Sequence, residues 1–396
     1  MSLGPIVLLC AVSFANAFSL GAFPVVLPDI GRTDGLGDFS LGIAASAFGF
    51  ARLVADIPAG LFTARHLRRA ILIGPCILAA GSLFTAAGGP LPVLVIGRAM
   101  MGAGHSLGTL ASLTAILRYR DERSLSLSLN AFDMSGMVGV IGGTAFAGTL
   151  PNTWPWHLVF LVACTPQLLS FLVLPVLLPS IPADRRSPAK TPIARGDPQR
   201  ERMKVPASSG LSLSAFAIGV AVALAWSGVG QFILPLRAAR EFGFGRGDVA
   251  SLLVLPVLVD VFCALPVGIV ADRTTRTGTL GVVLIALAAG VLCVTFGSVT
   301  MVIAGSALLG LGLAGWNLPL SILRRATPPE RLAWRTAQFR LAIDAGIFLG
   351  PFVGGILGEG NLWILSSFCG VSLLLLGGVI LLRRSLRRPR FYIEEL

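Results

Sequence analysis

The chain has 396 residues, of which 55% are hydrophobic and 13% charged, and its mean hydropathy is +0.83. A soluble domain carries about 25% charged residues and cannot bury this much apolar surface, so the composition excludes a water-soluble globular protein. The net charge of +12 could indicate a nucleic-acid partner, so the distribution of the basic residues along the chain has to be considered.

Twelve apolar runs are long enough to cross about 30 Å of hydrocarbon as helices. Open sheet edges cannot be satisfied in lipid, so helices are the expected spanning structure. The sequence therefore predicts an all-α membrane protein with twelve transmembrane helices. They lie near residues 5–28, 40–62, 70–88, 91–117, 125–149, 157–180, 210–235, 248–271, 278–297, 299–323, 336–358 and 361–382.

A polar segment rich in Pro, Arg and Ser, residues 181–209, divides these spans six and six. Its composition predicts a solvated linker between a first six-helix bundle, residues 1–180, and a second, residues 210–382, with a tail at 383–396. The halves repeat with an offset near 208, which places Gly60 on Gly268. Such a parallel repeat predicts two bundles related by an axis along the membrane normal, with a binding site between them.

The basic residues are distributed unequally between the two sides of the predicted membrane. One side, which also holds the linker and the tail, carries most of them, whereas the opposite side carries only Arg32, Arg237, Arg240 and Arg246. The positive-inside rule then predicts that both termini are cytoplasmic. The positive charge orients the chain, and no nucleic-acid partner is expected. The residues on the basic side are Arg65, Arg68, Arg69, Arg118, Arg120, Arg123, Arg273, Arg276, Arg324, Arg325, Arg331 and Arg335.

Three motifs resemble those of the major facilitator superfamily. The loop "GIVADRTTR" and its first-half counterpart "GLFTARHLRR" follow the second span of each half, "RAMMGAG" begins at Arg98, and "GPFVGG" has the form found in that family's drug and metabolite antiporters. Two departures weaken the antiporter label: Ala64 replaces the first loop's Asp, and the fifth helix reads "GMVGVIGG" without Pro. The motif residues are Gly60, Arg65, Arg68, Arg69, Gly268, Asp272, Arg273 and Arg276 for the loops, and Gly350, Pro351, Gly354 and Gly355 for "GPFVGG".

The resemblance implies the fold of that superfamily, two pseudo-symmetric six-helix bundles, alternating access and a monomer in the bacterial inner membrane. The loops would then act as a cytoplasmic conformational latch, in which Gly60 and Gly268 allow close helix approach. The alternative is that the loops carry only topogenic charge.

Ionisable residues inside apolar spans are costly and therefore indicate function. Since the family fold places helix two against eleven and helix five against eight, we expect Arg52 to pair with Asp344 and Asp133 to face Asp260. Two close carboxylates in low dielectric would share a proton, although each Asp can instead meet an Arg or a helix end in its own bundle. The charged set is Arg52, Asp56, Arg98, Asp133, Asp260 and Asp344, joined by His105 and Arg340.

Individual members of this set have open alternatives. Asp56 lies four residues from Arg52 and can neutralise it locally. By resemblance Arg98 takes part in proton coupling with a nearby carboxylate, or else it caps carbonyls of a neighbouring helix. His105 is a proton relay or a donor to a helix carbonyl. The family's cavity-lining helices one, four, seven and ten carry Asn16, His105, Trp226, Gln231, Trp316 and Asn317, which suit a partly apolar organic solute.

The sequence thus predicts a transporter that exports a small, partly apolar organic solute by proton antiport. The alternative is an importer, a proton symporter or uniporter, of a small organic anion that Arg52 and Arg98 would attract. An enzyme is not expected, because no nucleophile and base pair or phosphate-binding loop is found, and neither a cofactor nor a metal is implied. A sensor or scaffold without transport activity is the remaining class.

Overall fold

The computed structural model describes residues 3–119, 122–181, 209–325, 327 and 329–386. The predicted linker, 181–209, and the predicted tail, 383–396, lie mostly outside these residues. Within them the chain is helical throughout, without a strand. Each of the twelve predicted spans coincides with one helical element, so the predicted all-α fold is confirmed.

The twelve elements are numbered here in chain order. Nine of the twelve are single helices, and the other three, α6, α7 and α10, are built from shorter segments. They are α1 (Leu3–Thr33), α2 (Asp38–Arg65), α3 (Leu67–Ala86), α4 (Leu91–Tyr119), α5 (Glu122–Thr149), α6 (Trp156–Ala163, Thr165–Gln167 and Leu168–Ser180), α7 (Ser209–Leu224, Ala225–Ile233 and Leu234–Arg240), α8 (Arg246–Arg273), α9 (Arg276–Phe296), α10 (Val299–Leu313 and Leu318–Arg325), α11 (Pro329–Leu357) and α12 (Leu362–Leu386).

Ten of these elements are long and apolar enough to cross a membrane, counted over the described residues. The other two, α4 and α5, have 29 and 28 residues and are long enough at 1.5 Å per residue. Arg98 and His105 lower the hydropathy of α4, and several Ser and Gly residues lower that of α5.

Three elements depart from regular α-helix. A 3-10 turn, Thr165–Gln167, interrupts α6, and a π-helical stretch, Ala225–Ile233, interrupts α7. In α10 the helix breaks between Leu313 and Leu318, where the Trp316 amide donates to the Leu313 carbonyl at 2.7 Å. Glycine lowers helix propensity, and the breaks in α7 and α10 both fall in glycine-containing sequence.

The helix ends form two faces of the molecule. The basic face is defined by Arg65, Arg118 and Arg273 at helix ends, where the Arg118 guanidinium donates to the Ala64 carbonyl at 3.0 Å. The far face is defined by the opposite ends, near Asp38 at the start of α2 and Arg246 at the start of α8.

Helix packing joins the two sequence halves along two seams. Within the halves, α1 packs on α5, α2 and α3 pack on α4, α7 packs on α11, and α9 packs on α10 and α12. Across the halves, α2 packs on α11 and α5 packs on α8. These two seams place the charged residues predicted for helices two, five, eight and eleven at the interface between halves.

The α2–α11 seam is tight toward the far face. A Cβ built on Gly42 would lie 2.5 Å from the Gly355 Cα and 2.6 Å from the Pro351 carbonyl oxygen, so the two backbones touch. On the same helix α11, Gly350 faces Gly228 of α7, and Gly354 faces Phe232. The "GPFVGG" motif therefore packs α11 against α2 and α7 at once.

Candidate functional site

Two reciprocal ion pairs cross the α2–α11 seam inside the membrane-spanning region. Arg52 Nη2 lies 2.7 Å from Asp344 Oδ1, and Arg340 Nε lies 2.9 Å from Asp56 Oδ2. Each helix supplies one Arg and one Asp four residues apart, which a 3.6-residue repeat places on one face. Because α2 and α11 run in opposite directions, both pairs form at once. The expected contact between Arg52 and Asp344 is confirmed.

Asp56 behaves differently from its expected local role. Its carboxylate pairs with Arg340 of the other half and accepts a hydrogen bond from the Ser106 hydroxyl of α4, rather than pairing with Arg52 of its own helix. Asp56 is 8% exposed and Asp344 is fully buried. Removing one partner of such a buried pair would leave an uncompensated charge, which costs about 3–5 kcal/mol.

The second seam brings Asp133 of α5 and Asp260 of α8 together. These two helices pack against each other across the halves, so both carboxylates lie on elements of one seam. Asp260 is buried whereas Asp133 is exposed, and neither forms an ion pair within the part of the chain that the structure describes. Unlike Asp56 and Asp344, these carboxylates are thus without a contacting cation.

Arg98 of α4 is buried in an apolar and aromatic environment. Its guanidinium carbon lies 3.7 Å from the ring centroid of Phe23 and 5.0 Å from that of Phe48. Nη1 approaches the Met101 sulfur at 3.8 Å, and Nε has no hydrogen-bond partner among the residues that the structure describes. The side chain caps no described carbonyl and meets no described carboxylate, so neither expected contact of Arg98 is present.

The energetics of Arg98 are unbalanced in this arrangement. Burying one charge costs several kcal/mol even after relaxation. Two cation–π contacts return about 0.5–2 kcal/mol each. The cation–π contacts therefore do not offset the cost of burying this charge, and Arg98 lacks the anion that would do so.

The predicted cavity residues separate into different environments. Asn16 is buried, and its Oδ1 accepts from the Ser170 hydroxyl of α6 at 2.9 Å, so it joins α1 to α6 instead of facing an open cavity. Trp316 lines an apolar pocket within the second half, together with Phe339 and Gly219. Asn16 and Trp316 were predicted to line a cavity shared by the halves, but in this structure each contacts residues of its own half.

The remaining cavity candidates lie at helix irregularities or near the charged residues. Trp226 and Gln231 lie in the π-helical stretch of α7 and are half-buried, and Asn317 is exposed in the break of α10. The half-buried His105 ring lies 5.8 Å from the Phe48 ring, on the side of α4 that faces α2.

The glycines that begin the two repeated loops lie in open space. A Cβ built on Gly60 or on Gly268 would meet nothing within 4 Å, so the expectation that these glycines allow close helix approach is wrong for this conformation. Arg68 Nε donates to the Ile181 carbonyl at 2.7 Å. Arg276 pairs with Asp272 at 2.7 Å. Arg65, Arg69 and Arg273 are exposed.

Ion pairs at the far face were not anticipated from the sequence. Arg240 at the end of α7 pairs with Asp38 of α2 at 2.6 Å, and Arg246 at the start of α8 pairs with Asp29 of α1 at 2.8 Å. Both pairs join the first half to the second. The only sequence signal was that all four residues lie at predicted span ends, where charge is ordinarily read as solvated.

Comparison with known proteins gives the family. The model of the Major Facilitator Superfamily matches residues 9–227 and 211–395, which together cover nearly the whole chain. The gentisate transporter of Corynebacterium glutamicum is 24% identical over 368 residues, 89% of this chain and 80% of that protein. The purine ribonucleoside efflux pump NepI of Salmonella enteritidis is 28% identical over 139 residues, 34% of this chain and 35% of that protein, so the match spans about a third of the pump.

Among solved structures, a bacterial homolog of the human lysosomal transporter Spinster superposes with a TM-score of 0.74. The identity is 16%, and the match covers 96% of this chain and 95% of that one, which supports the fold. The resemblance seen in the sequence motifs is confirmed. With its twelve helices and paired halves, the chain belongs to the Major Facilitator Superfamily and is a multi-pass membrane transporter of small organic solutes, not an enzyme.

Proposed function

We propose that the chain exports a small, partly apolar organic solute in exchange for protons. The observation that carries this proposal is the position of Asp133 and Asp260 on the two helices of the α5–α8 seam, with no ion pair to either carboxylate among the described residues. Two carboxylates that interact without a contacting cation bind a proton more readily than one carboxylate alone. Because the residues come from different halves, binding and release of that proton alter the attraction between the halves.

The α2–α11 ion pairs serve a different role in this proposal. Arg52 with Asp344 and Arg340 with Asp56 form two ion pairs across the seam, so in this proposal they stabilise one arrangement of the halves. The Gly42–Gly355 contact closes the same seam toward the far face, and the pairs Arg240–Asp38 and Arg246–Asp29 join the halves at that face. The repeated loops, whose glycines Gly60 and Gly268 lie in open space in this conformation, would pack against the other half when the basic face closes.

The orientation, domain boundaries and oligomeric state are part of the same proposal. The basic face is cytoplasmic by the positive-inside rule, in a bacterial inner membrane. Residues 1–180 and 210–382 are the two bundles, joined by the cytoplasmic linker 181–209, and the protein acts as a monomer. One relative is named as an efflux pump, which agrees with export.

The test begins with identification of a solute. Small molecules are compared in cells and spent medium between cultures that produce the wild type and an Arg98→Ala variant at equal levels. Export predicts a compound that is richer in the wild-type medium and poorer in the wild-type cells. The reverse pattern would favour import.

Proton coupling is then tested with that solute in proteoliposomes under an imposed pH gradient. We expect Asp260→Asn to abolish the response of solute flux to the gradient, because the amide binds no proton. Asp248→Asn is the matched control, since Asp248 is exposed near the far end of the same helix. If flux through Asp260→Asn responds to the gradient as the wild type does, this carboxylate does not couple protons.

A second candidate function is import of a small organic anion. The buried Arg98, which lacks a described carboxylate partner, favours it. A relative covering most of the chain is named as a gentisate transporter. Net direction of flux under a proton gradient separates import from export.

A further inference from the structure

The ionisable residues inside the spans leave one cation without an anion. Arg52 and Arg340 are neutralised by Asp344 and Asp56 at distances below 3 Å. Asp133 and Asp260 lie on α5 and α8, at the other seam. Arg98 alone, on α4, is buried without an anionic contact in the described part of the chain.

The groups around Arg98 are flat and apolar. Phe23 covers the guanidinium face, and the Met101 sulfur lies beside Nη1. The Phe48 ring is shared, since the Arg98 guanidinium carbon lies 5.0 Å and that of Arg52 5.7 Å from its centroid. The site thus offers an unpaired Nε–H beside two aromatic rings.

This chemistry matches one class of solute. A carboxylate accepts two parallel N–H bonds from a guanidinium, and an aromatic body packs on phenylalanine rings. We propose that Arg98 is the anion-binding subsite of the transporter and that its substrates are small aryl carboxylates. The inference rests on the proposed transport of an organic solute, but it depends neither on direction nor on proton coupling.

The position of Arg98 is compatible with access from the seam. Arg98 lies seven residues into α4, roughly 10 Å from the far face. Phe48 lies on α2, the helix that forms the seam with α11. In the proposed subsite, Phe48 would separate from Arg98 when α2 moves at this seam, and a flat anion would enter between them.

A structural role and an anion-binding role for Arg98 predict different effects of Arg98→Gln on thermal stability. If Arg98 holds Phe23 and Phe48 in place, Arg98→Gln loses these contacts and would unfold at a lower temperature than the wild type. If Arg98 instead binds an anionic ligand, its unpaired buried charge destabilises the ligand-free protein. Arg98→Gln removes that charge and should unfold at the same or a higher temperature than the wild type.

The test measures binding to the purified full chain in nanodiscs at one pH, without a gradient. The probes are benzoate, salicylate, phenylacetate and cinnamate, each paired with its neutral amide. We expect at least one carboxylate to bind about 10-fold or more tightly than its amide, and Arg98→Gln to weaken that binding at least about 30-fold. Arg98→Lys should retain part of the affinity, and Arg324→Gln, an exposed arginine on the basic face, should match the wild type.

Three results would overturn the inference: binding of none of the four carboxylates, equal binding of carboxylates and amides, or wild-type affinity in Arg98→Gln. Lower thermal stability of Arg98→Gln with carboxylate affinity retained would assign Arg98 a structural role. Specific carboxylate binding without any pH-driven flux would support the subsite while contradicting proton coupling. Flux of a neutral solute that a pH gradient drives, without binding of any of the carboxylates, would contradict the subsite while supporting proton coupling.

Discussion

Replacement of Gly42 by alanine tests whether the α2–α11 seam is as tight as its geometry indicates. The new Cβ would lie 2.5 Å from the Gly355 Cα, against about 3.4 Å for an ordinary contact, so the helices would have to separate by roughly 0.9 Å there. The opposing atoms are backbone and cannot rotate away. The far end of the seam must therefore open.

The expected size of the effect follows from overpacking. Inserting a methyl group into a packed core costs about 1–3 kcal/mol. If the cost falls on the conformation with a closed far face, the population of that conformation relative to an opened one drops about 5- to 150-fold. Alanine's better helix propensity returns only about 0.5–1 kcal/mol.

Gly60→Ala is the matched control on the same helix. It gains the same helix propensity, but its Cβ meets nothing within 4 Å, so it should unfold at the same or a higher temperature than the wild type. Thermal unfolding of the purified protein and amide hydrogen exchange across residues 38–48 and 349–357 are the measurements. Gly42→Ala should exchange faster in both segments, and Gly60→Ala in neither.

The reasoning would be refuted by equal unfolding temperatures and equal exchange in the two variants. That result would mean that α2 and α11 are not in backbone contact near the far face. A loss of stability in Gly60→Ala alone would mean that the repeated loop packs in the dominant conformation, contrary to the geometry described.

Three further predictions concern other contacts. Asp344→Asn should destabilise the protein by about 3–5 kcal/mol because Arg52 loses its partner, and the double variant with Arg52→Gln should recover part of it in thermal unfolding; additive losses would contradict a shared pair. Arg246→Gln should speed hydrogen exchange at the far end of α8 because the ion pair with Asp29 is lost, and unchanged exchange would mean that this pair does not hold the face closed. Ser170→Ala removes the donor to Asn16 and should lower stability by about 1–3 kcal/mol while leaving substrate preference unchanged, so altered preference would return Asn16 to the binding site.

The spans and the α2–α11 ion pair could be predicted because each rests on a strong local rule. Apolar length determines a span, and a charge deep in a span must find a partner. Arg52 and Asp344 followed from those rules once the superfamily resemblance gave the neighbouring helices. For Asp56 the sequence offered only Arg52 as a local partner, because spacing within one helix does not show that Arg340 of another helix pairs with it.

Side-chain direction and conformation were beyond what the sequence could give. Asn16 turns to Ser170 and Trp316 turns into the second half, and neither rotation about the helix axis is marked in the local sequence. The far-face pairs of Asp38 and Asp29 join residues about 200 positions apart. Gly60 lies in open space in the conformation described, and a sequence motif does not show in which conformation of a transporter its residues pack.

The reciprocal ion pairs also restrict how the two halves can move. If α2 slid along α11 by one helical turn, about 5.4 Å, in either direction, both ion pairs would be broken and buried charges would lose their partners; in one direction Arg52 would also come opposite Arg340. Translation along the seam is therefore opposed in both directions. A tilt about the two pairs keeps every partner in register, so the four charges define a pivot about which the halves rock.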